Sequence, residues 1–591
     1  MKYALPLLLV SSLALASADT GPSATPESYR TPPEPPFAQL EPPGPLPSAR
    51  RADTYPKNPA IDALNYAFAL TLSDETDMIS GEATIDLRFL EAGIEQVRLD
   101  LIEQKPDGTG MRVRAVTGAD GLLEFDHRDD ALFISLAQPT AAGERRRITV
   151  AYEGTPATGL IIGPNKHGDR TFFSDNWPNK ARNWLPTIDH PYDKATNELI
   201  VTAPAHYQVI SNGLLIEETD LLDGTRLSHW KQSVPIATWL YALGAARFAV
   251  QTVDYYNGVP IQTWVYAQDR DAGFHDFAVP TKQAMEFYGD WVGPYSYEKL
   301  ANVQSNSVGG GMEAATAIFY GDASVTGERD VRWRNVIIHE VAHQWFGNAV
   351  TEYDWDDVWL SEGFATYFTL LFIEHQYGRD EFVERLKVSR DGIRAFMAEN
   401  PDYRIVHDNL SDMSRVTSGP GTYQKGSWVL HMLRGVVGED AFWAGIQDYY
   451  REFRDRNATT ADFRRAMEEA AGLDLRVFFD QWLYRGGWLE FEGGWSYDAD
   501  AGAIHVEIEQ AQDERYTFRM RVPIGIYLPS EGPSERGVHG SAEPPRIEVV
   551  DVDARSTRFT IPVEAEPRDV VLDPQTWLLM DADFERRESG R

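Results

Sequence analysis

Residues 336–348 read VIIHEVAHQWFGN, and residues 359–365 read WLSEGFA. On an α-helix, positions i and i+4 lie on one face, so His339 and His343 can reach one cation while the glutamate between them points beside it. Eighteen residues separate the second histidine from Glu362, which falls in the first turn of a second predicted helix. Two imidazole nitrogens and one carboxylate leave a fourth position for water, which is typical of a catalytic rather than a structural zinc site.

The same motif also occurs by chance, and histidines on an apolar helix can be core residues. Here two further features support the motif. The apolar residues before it would shield the site from water, and a second predicted helix supplies the third ligand. We therefore predict one zinc ion per chain, bound by His339, His343 and Glu362. Glu340 is not needed as a ligand and is predicted to be the general base, which takes a proton from water and delivers it to a leaving amine.

The bulk composition excludes several classes of partner. At 591 residues the chain is too long for one hydrophobic core, so several domains are expected. The formal net charge of −35 predicts no binding to nucleic acid or to an anionic membrane, since the electrostatic attraction would have the wrong sign. There is no cysteine, which excludes both a disulfide and a lipid-modified thiol.

The N-terminal segment is typical of an exported protein. Residues 1–18 combine a positive start, an apolar stretch and the small residues Ala16-Ser17-Ala18, which is the pattern of a signal peptide. The apolar stretch is too short for a permanent anchor. Residues 19–52 are dense in proline and are predicted to be an extended linker. We expect a periplasmic or secreted protein with no stable membrane anchor.

In the rest of the chain the spacing of the apolar residues changes twice, which predicts a multidomain α+β fold. Along residues 53–250 apolar and polar side chains alternate with period two, as in ATIDLRF (83–89). This pattern predicts a β-sandwich-like domain. Residues 251–490 contain the zinc motif and predict a mainly helical catalytic domain, whereas residues 491–591 return to strands and predict a small β-sandwich domain. The predicted helices span 281–291, 331–346, 359–377, 380–400, 423–437 and 461–471.

Two further stretches carry candidate chemistry. Residues 308–313 read VGGGME: glycines let a backbone approach a ligand closely, as a strand edge does when it pairs with an extended peptide, and Glu313 follows as an acid. A glycine run by itself is usually only a turn. Residues 419–426 read GPGTYQKG and place Tyr423 where its hydroxyl can stabilise an oxyanion, although the stretch alone indicates only the start of a helix.

Together these motifs resemble the M1 family of zinc aminopeptidases, gluzincins that include aminopeptidase N and leukotriene A4 hydrolase. That family carries His-Glu-x-x-His followed after eighteen residues by Glu, a Gly-x-Met-Glu-Asn exopeptidase motif and a Tyr-x-Lys-Gly/Ala motif. Residues 181–195 and 211–213 are also similar to the family's segment between its β domain and the cleft, and 478–482 to the end of its catalytic domain. The resemblance covers nearly the whole mature chain.

The resemblance implies a thermolysin-like catalytic domain that hydrolyses N-terminal residues from peptides by zinc-activated water attack. It implies zinc ligation by His339, His343 and Glu362, with Glu340 as the general base. Tyr423 would stabilise the tetrahedral oxyanion.

The resemblance also implies a substrate-binding strand. Gly310, Gly311, Met312 and Glu313 would bind the peptide, and Glu313 would grip the free α-ammonium group that defines an exopeptidase substrate. The expected partners are therefore peptides with a free N-terminus.

The sequence departs from the family pattern in three places. Ala314 stands where the family has asparagine, so we expect altered affinity but intact chemistry, because Glu313 is kept. The family's second contact to the amine falls in residues 174–178, SDNWP, where Asp175 is the candidate. The large helical domain that closes the cleft in many relatives is missing from the sequence, which predicts a more open site.

Two other interpretations stay open at this point. A gluzincin endopeptidase like thermolysin has a similar zinc spacing, but it gives no reason for Glu313 beside three glycines. A non-catalytic peptide-binding protein on the same scaffold would not need intact metal ligands, a base and a tyrosine.

Overall fold

The computed structural model describes residues 54–406, 413, 418–529 and 544–587. The predicted signal peptide (1–18) and the predicted linker (19–52) lie outside the described residues. Within the described ranges, no helix combines the length and the apolar character needed to cross a membrane. The expected multidomain α+β fold is confirmed, because a β-rich region, a helical region and a second β region follow one another along the chain.

The N-terminal region consists of three sheets. Burial alternates along its strands as the sequence predicts, for example at Ala83, Ile85 and Leu87, which are fully buried. The strands are β1 (Ile61–Thr71), β2 (Ile79–Phe89), β3 (Gln96–Asp100), β4 (Gly110–Gly118), β5 (Gly121–Leu122), β6 (Phe125–Arg128), β7 (Ala131–Ser135), β8 (Glu144–Thr155), β9 (Leu160–Pro164), β10 (Arg170–Ser174), β11 (Lys194–Pro204), β12 (Gln208–Ser211), β13 (Leu214–Asp220), β14 (Thr225–Ala237) and β15 (Leu243–Ala246). The sheet orders are β13-β14-β11-β1-β2-β8-β4-β5, β12-β15-β10-β9 and β3-β7-β6.

The central region combines a five-stranded sheet with helices. Its strands are β16 (Phe248–Tyr256), β17 (Val259–Tyr266), β18 (Leu300–Ser305), β19 (Gly311–Met312), β20 (Ala317–Gly321), β21 (Val350–Glu352) and β22 (Arg456–Ala458). Its helices are α1 (Arg270–Trp291), α2 (Val331–His343), α3 (Trp359–Tyr377), α4 (Arg379–Glu399), α5 (Gly426–Val437), α6 (Glu439–Phe453), α7 (Thr460–Ala471) and α8 (Arg476–Leu483). The five-stranded sheet has the order β16-β17-β18-β20-β19, which leaves β19 at an edge, and β21 pairs with β22.

The helices carrying the zinc motif were predicted closely, whereas other central elements were not. α3 has the predicted bounds, but α1 begins eleven residues before the predicted 281 because it contains Pro280, a residue that usually ends a helix. α6, α8 and the five-stranded sheet were not predicted. β18 and β20 are buried at every position, so they lack the alternation that identifies a strand. The boundary predicted at 250/251 falls inside β16, which pairs with β17.

The C-terminal region is a small β structure with two sheets. Its strands are β23 (Leu489–Asp498), β24 (Ala503–Gln510), β25 (Met520–Tyr527), β26 (Arg546–Val552), β27 (Ser556–Pro562), β28 (Asp569–Leu572) and β29 (Met580–Arg586). The sheet orders are β27-β24-β23-β29 and β26-β25-β28. Trp577 of this region stacks on the ring of His431 in α5, with centroids 4.8 Å apart. The C-terminal region therefore packs against the helix that follows Tyr423.

The N-terminal region holds the two segments that frame the candidate site. The Lys194 ammonium group at the start of β11 donates to the Asn348 carbonyl and to the Thr351 hydroxyl, each at 2.9 Å. The side-chain amide of Asn212 donates to the Ala315 carbonyl at 2.6 Å. These bonds fix the turn after α2 and the loop after β19 relative to each other.

Candidate active site

The three predicted metal ligands converge at one point between α2 and α3. The Nε2 atoms of His339 and His343 lie 3.1 Å apart. The Glu362 Oε2 atom lies 3.5 Å from the first of these nitrogens and 3.2 Å from the second. Helix α2 supplies both histidines from one face, and the first turn of α3 supplies the carboxylate, as the spacing predicted.

A tight turn after α2 orients the second histidine. The Nδ1 atom of His343 lies 3.1 Å from the Phe346 carbonyl oxygen, and since a carbonyl only accepts, Nδ1 must carry the hydrogen. The Nε2 lone pair is then free for a metal. Gly347 makes the turn at φ +106°, and a Cβ at this position would lie 2.2 Å from the Ser361 hydroxyl oxygen. The conformation therefore requires glycine.

This donor set fits a zinc ion. The Glu362 Oε2 atom is buried and has no hydrogen-bond partner among the described residues, while both imidazoles point at it. A second group of metal-binding type consists of Glu313, Glu340 and His343, and it shares one histidine with the first. The first set offers two imidazoles and one carboxylate, the combination that zinc uses at catalytic sites with an open position.

Glu340 lies against the glycine strand. A Cβ built on Gly311 would lie 2.1 Å from the Glu340 Oε1 atom, so only glycine leaves room for this carboxyl group. The other oxygen, Oε2, is buried without a hydrogen-bond partner among the described residues. Burial raises the pKa of the Glu340 carboxyl well above its ordinary value, and the charge of Glu313 adds to the shift. A bound cation would oppose this shift.

Glu313 is a second buried carboxylate, and it forms no salt bridge within the described ranges. Only 5% of its surface is exposed, and Oε1 has no hydrogen-bond partner within the described ranges. Burial raises the pKa of its side chain to about 7, although the proximity of His343 opposes the shift. The Glu313 carbonyl accepts from the side-chain amides of Gln344 and Asn348, at 3.1 and 2.7 Å. The backbone is thus fixed while the Oε1 atom of the carboxyl group still has no partner among the described residues.

Of the three glycines, only one is required by local contacts. Gly309 and Gly310 face open space, whereas Gly311 is packed against Glu340. Gly311 and Met312 form the edge strand β19, so one side of this strand is not covered by another strand of the sheet. An extended peptide can pair with such an edge.

Tyr423 reaches the metal set from a π-helical turn, Gly419–Lys425, which leads into α5. The sequence predicted an ordinary helix start here; such π turns occur frequently at functional sites. The Tyr423 hydroxyl donates to the Glu362 Oε1 atom at 2.7 Å, and its ring stacks on His339 with an interplanar angle of 15°. Burial raises the pKa of the hydroxyl well above 10, and the negative Glu362 adds to the shift, so the group stays a donor.

These residues line one cleft with a volume of about 550 Å³. All the predicted site residues except Gly310 contribute to its wall. Asp175, the candidate second amine contact, is paired with the Lys180 ammonium group at 2.6 Å, and its role toward an amine stays a prediction. Trp177 lines the cleft instead, packed edge-on against Trp239 with ring centroids 4.8 Å apart.

Several supporting residues were not predicted from the sequence. Gln344 bonds to both the Glu313 carbonyl and the Thr316 amide, and Asn348 bonds to the same carbonyl. Ala314 is buried and adds no polar group of its own. The available signal was the two amide side chains of Gln344 and Asn348, which follow His343 in an otherwise apolar stretch.

Comparison with known proteins agrees with this geometry. The model of the Peptidase family M1 domain matches residues 278–482, and that of the Peptidase M1 N-terminal domain matches residues 62–240. The chain belongs to peptidase family M1. The expected resemblance is thereby confirmed, and the predicted ligands His339, His343 and Glu362 lie inside the segment that matches the Peptidase family M1 domain.

Individual relatives extend the comparison. Glutamyl aminopeptidase of Bitis rhinoceros is 30% identical over 452 residues, which cover 72% of this chain and 47% of the relative, so the chain spans about half of that protein. A crystal structure of an M1 zinc metallopeptidase from Deinococcus radiodurans aligns with a TM-score of 0.61 and 26% identity, covering 72% of this chain and 94% of that one. Legionella pneumophila aminopeptidase A shares the fold, with a TM-score of 0.75 at 19% identity, over 91% of this chain and 61% of that one.

The convergence of three ligands predicts one zinc ion per chain. In His343→Ala the zinc content should fall from about one per chain to near zero, because two protein ligands cannot hold the ion tightly. The measurement is metal analysis of the purified protein after gel filtration. His206→Ala changes a partly exposed histidine in the N-terminal region and should keep the wild-type content. A zinc-free wild type, or full zinc content in His343→Ala, would contradict the assignment.

Proposed function

We propose that this M1 peptidase is a zinc-dependent aminopeptidase that removes N-terminal residues from peptides. The observation that carries the proposal is Glu313, whose carboxylate is buried beside the metal set with one oxygen that has no hydrogen-bond partner among the described residues. A peptide's free α-ammonium group supplies that partner, and burying a charge without one is costly. The sequence of residues 1–18 supports export to the periplasm or the medium.

The proposed binding mode uses the edge strand. The peptide backbone pairs with Gly310, Gly311 and Met312, while Glu313 at the end of this strand holds the ammonium group. The N-terminus is thereby fixed one residue away from the metal set, and the first peptide bond is the one presented for hydrolysis. Because the ammonium group and the carbonyl group of the first peptide residue are both held in place, the reaction becomes effectively intramolecular.

The proposed chemistry assigns one task to each remaining residue. His339, His343 and Glu362 would hold the zinc ion, which supplies Lewis-acid polarisation of the scissile carbonyl when bound. Glu340 accepts a proton from the attacking water and passes it to the leaving amine. Tyr423 turns its hydroxyl from the Glu362 carboxylate to the developing oxyanion, where a fixed donor stabilises the transition state.

The function is tested with one peptide and its N-acetylated twin, with products identified by mass spectrometry. We expect stepwise N-terminal trimming of the free peptide and no cleavage of the acetylated one, because acetylation removes the charge that Glu313 binds. Glu313→Ala should raise KM and lower kcat together for the free peptide, since a misplaced amine also misplaces the scissile carbonyl. Internal cuts in both peptides would favour an endopeptidase, and no cuts would favour a binding protein.

The role of Glu340 is tested with two kinds of variant. Glu340→Gln should keep its zinc and lose roughly 10²–10⁴-fold in kcat, the usual contribution of a positioned proton transfer. Gly311→Ala should also lower kcat with zinc retained, because the added methyl group would displace the Glu340 carboxyl. Gly309→Ala is the matched control, since nothing lies within 4 Å of the added atom. Wild-type turnover in zinc-loaded Glu340→Gln would show that another group is the base.

The role of Tyr423 is tested by removing one oxygen. Tyr423→Phe should lose about 3 kcal/mol of transition-state stabilisation, the typical effect of removing one oxyanion donor. The loss should appear in kcat and leave KM nearly unchanged, because the bond to substrate forms only in the transition state. Zinc content measured on the same sample controls for the lost bond to Glu362. An effect confined to KM would instead assign Tyr423 to substrate positioning.

A further inference from the structure

The cleft carries opposite charges on different walls. Glu313, Glu340 and Glu362 line it around the metal set, and Arg385 is the one arginine or lysine among the described lining residues. The chain has 90 acidic and 55 basic residues, so a positive side chain in the cleft is opposite in sign to the net charge of the protein.

Arg385 lies well away from the metal set. Helix α4 follows α3 after the single residue Gly378 and packs back along it, so Arg385 lies beside the part of α3 near Leu370. At 1.5 Å of rise per residue, Leu370 is about 12 Å along α3 from Glu362.

The later part of α4 leads to a similar distance for Arg385. A Cβ on Gly392 would lie 3.0 Å from the side-chain oxygen of Gln424, the neighbour of Tyr423, so this part of α4 lies against the turn that carries Tyr423. Arg385 is seven residues earlier, roughly 10 Å along the helix axis. An extended peptide covers 10–12 Å in about three to four residues.

The Arg385 guanidinium group is only partly engaged. Its Nε and Nη2 atoms donate to the Glu381 Oε1 atom one turn earlier, at 2.9 and 2.5 Å. Both side chains are partly exposed, at 30% and 44%, and Glu381 is the only hydrogen-bond partner of Arg385 among the described residues. Exposed pairs of this kind are weak, so a substrate carboxylate can compete for the guanidinium group.

We propose that Arg385 is a specificity-determining residue that binds a carboxylate of the substrate on the leaving-group side of the scissile bond. The inference rests on the proposed aminopeptidase function. A short peptide carries an ammonium group at one end and a carboxylate at the other, which matches Glu313 beside the metal set and Arg385 about 10–12 Å further along α3 and α4. The carboxylate is either the C-terminus of a short peptide or an acidic side chain two or three residues into the chain.

The experiment compares kcat/KM for two matched pairs of peptides. The first pair is tetra-alanine with a free C-terminus and its C-terminal amide. The second pair is amidated and carries Glu or Gln at the third position (Ala-Ala-Glu-Ala-NH2 and Ala-Ala-Gln-Ala-NH2). Wild type should prefer the carboxylate-bearing member of at least one pair by about tenfold, the effect of one charge-assisted hydrogen bond. The pair that shows the preference identifies which carboxylate is bound.

The variants distinguish an effect of the Arg385 guanidinium group from a general effect of changing α4. Arg385→Gln should reduce the preference to about one, and Arg385→Lys should retain part of it because it keeps the charge. Glu381→Gln should increase the preference, since it removes the competing carboxylate. Lys387→Gln, on the exposed face of the same helix, should keep the wild-type ratio. Zinc content and melting temperature report on folding of each variant.

The two proposals fail in different ways. If no peptide is trimmed from its N-terminus, the proposed function is wrong. If all four peptides are trimmed but wild type shows no preference in either pair, or Arg385→Gln keeps the preference, only the assignment of Arg385 is wrong.

Discussion

Five ionisable side chains surround one point between α2, α3 and β19, and all of them except the partly exposed His339 are buried. Three of them are the carboxylates Glu313, Glu340 and Glu362, and each has an oxygen with no hydrogen-bond partner among the described residues. Burying several like charges together is strongly unfavourable unless cations compensate them. Burial raises the pKa values of Glu313 and Glu340, because the charged forms of both carboxyl groups are unfavourable in this site. A metal ion between the histidines and the proposed substrate ammonium group at Glu313 would compensate this cost, so one constraint would account for both.

The rest of the structure keeps these charges in place. The N-terminal region reaches the site through Lys194 and Asn212, which bond to the loops on either side of it. Gln344 and Asn348 then fix the backbone of Glu313, so the proposed amine site and the predicted metal site are positioned by the same turn. A displacement of any of these elements would change the distance between the ammonium group and the scissile bond, on which exopeptidase geometry depends.

The metal set could be predicted because its geometry is local. Helical spacing brings His339 and His343 together, and α3 was recognised from its periodicity alone. Supporting contacts such as those of Gly347 and Gln344 could not be predicted, because they depend on how a turn and a neighbouring strand approach in space. The five-stranded sheet escaped prediction for another reason: strands buried on both faces, such as β18, have no alternation. The π turn at Tyr423 packs against α3 and α4, and no local sequence pattern encodes these contacts.

The most direct test of this account is the position of the metal itself. Crystals of the zinc-loaded protein can be measured at wavelengths on both sides of the zinc absorption edge, and the difference in anomalous scattering locates the ion. We predict one peak per chain, about 2.0–2.2 Å from the His339 and His343 nitrogens and a Glu362 oxygen. A peak between Glu313, Glu340 and His343, or no peak at the histidines, would contradict it, because Glu340 and Glu313 would then be ligands and could act neither as base nor as ammonium site.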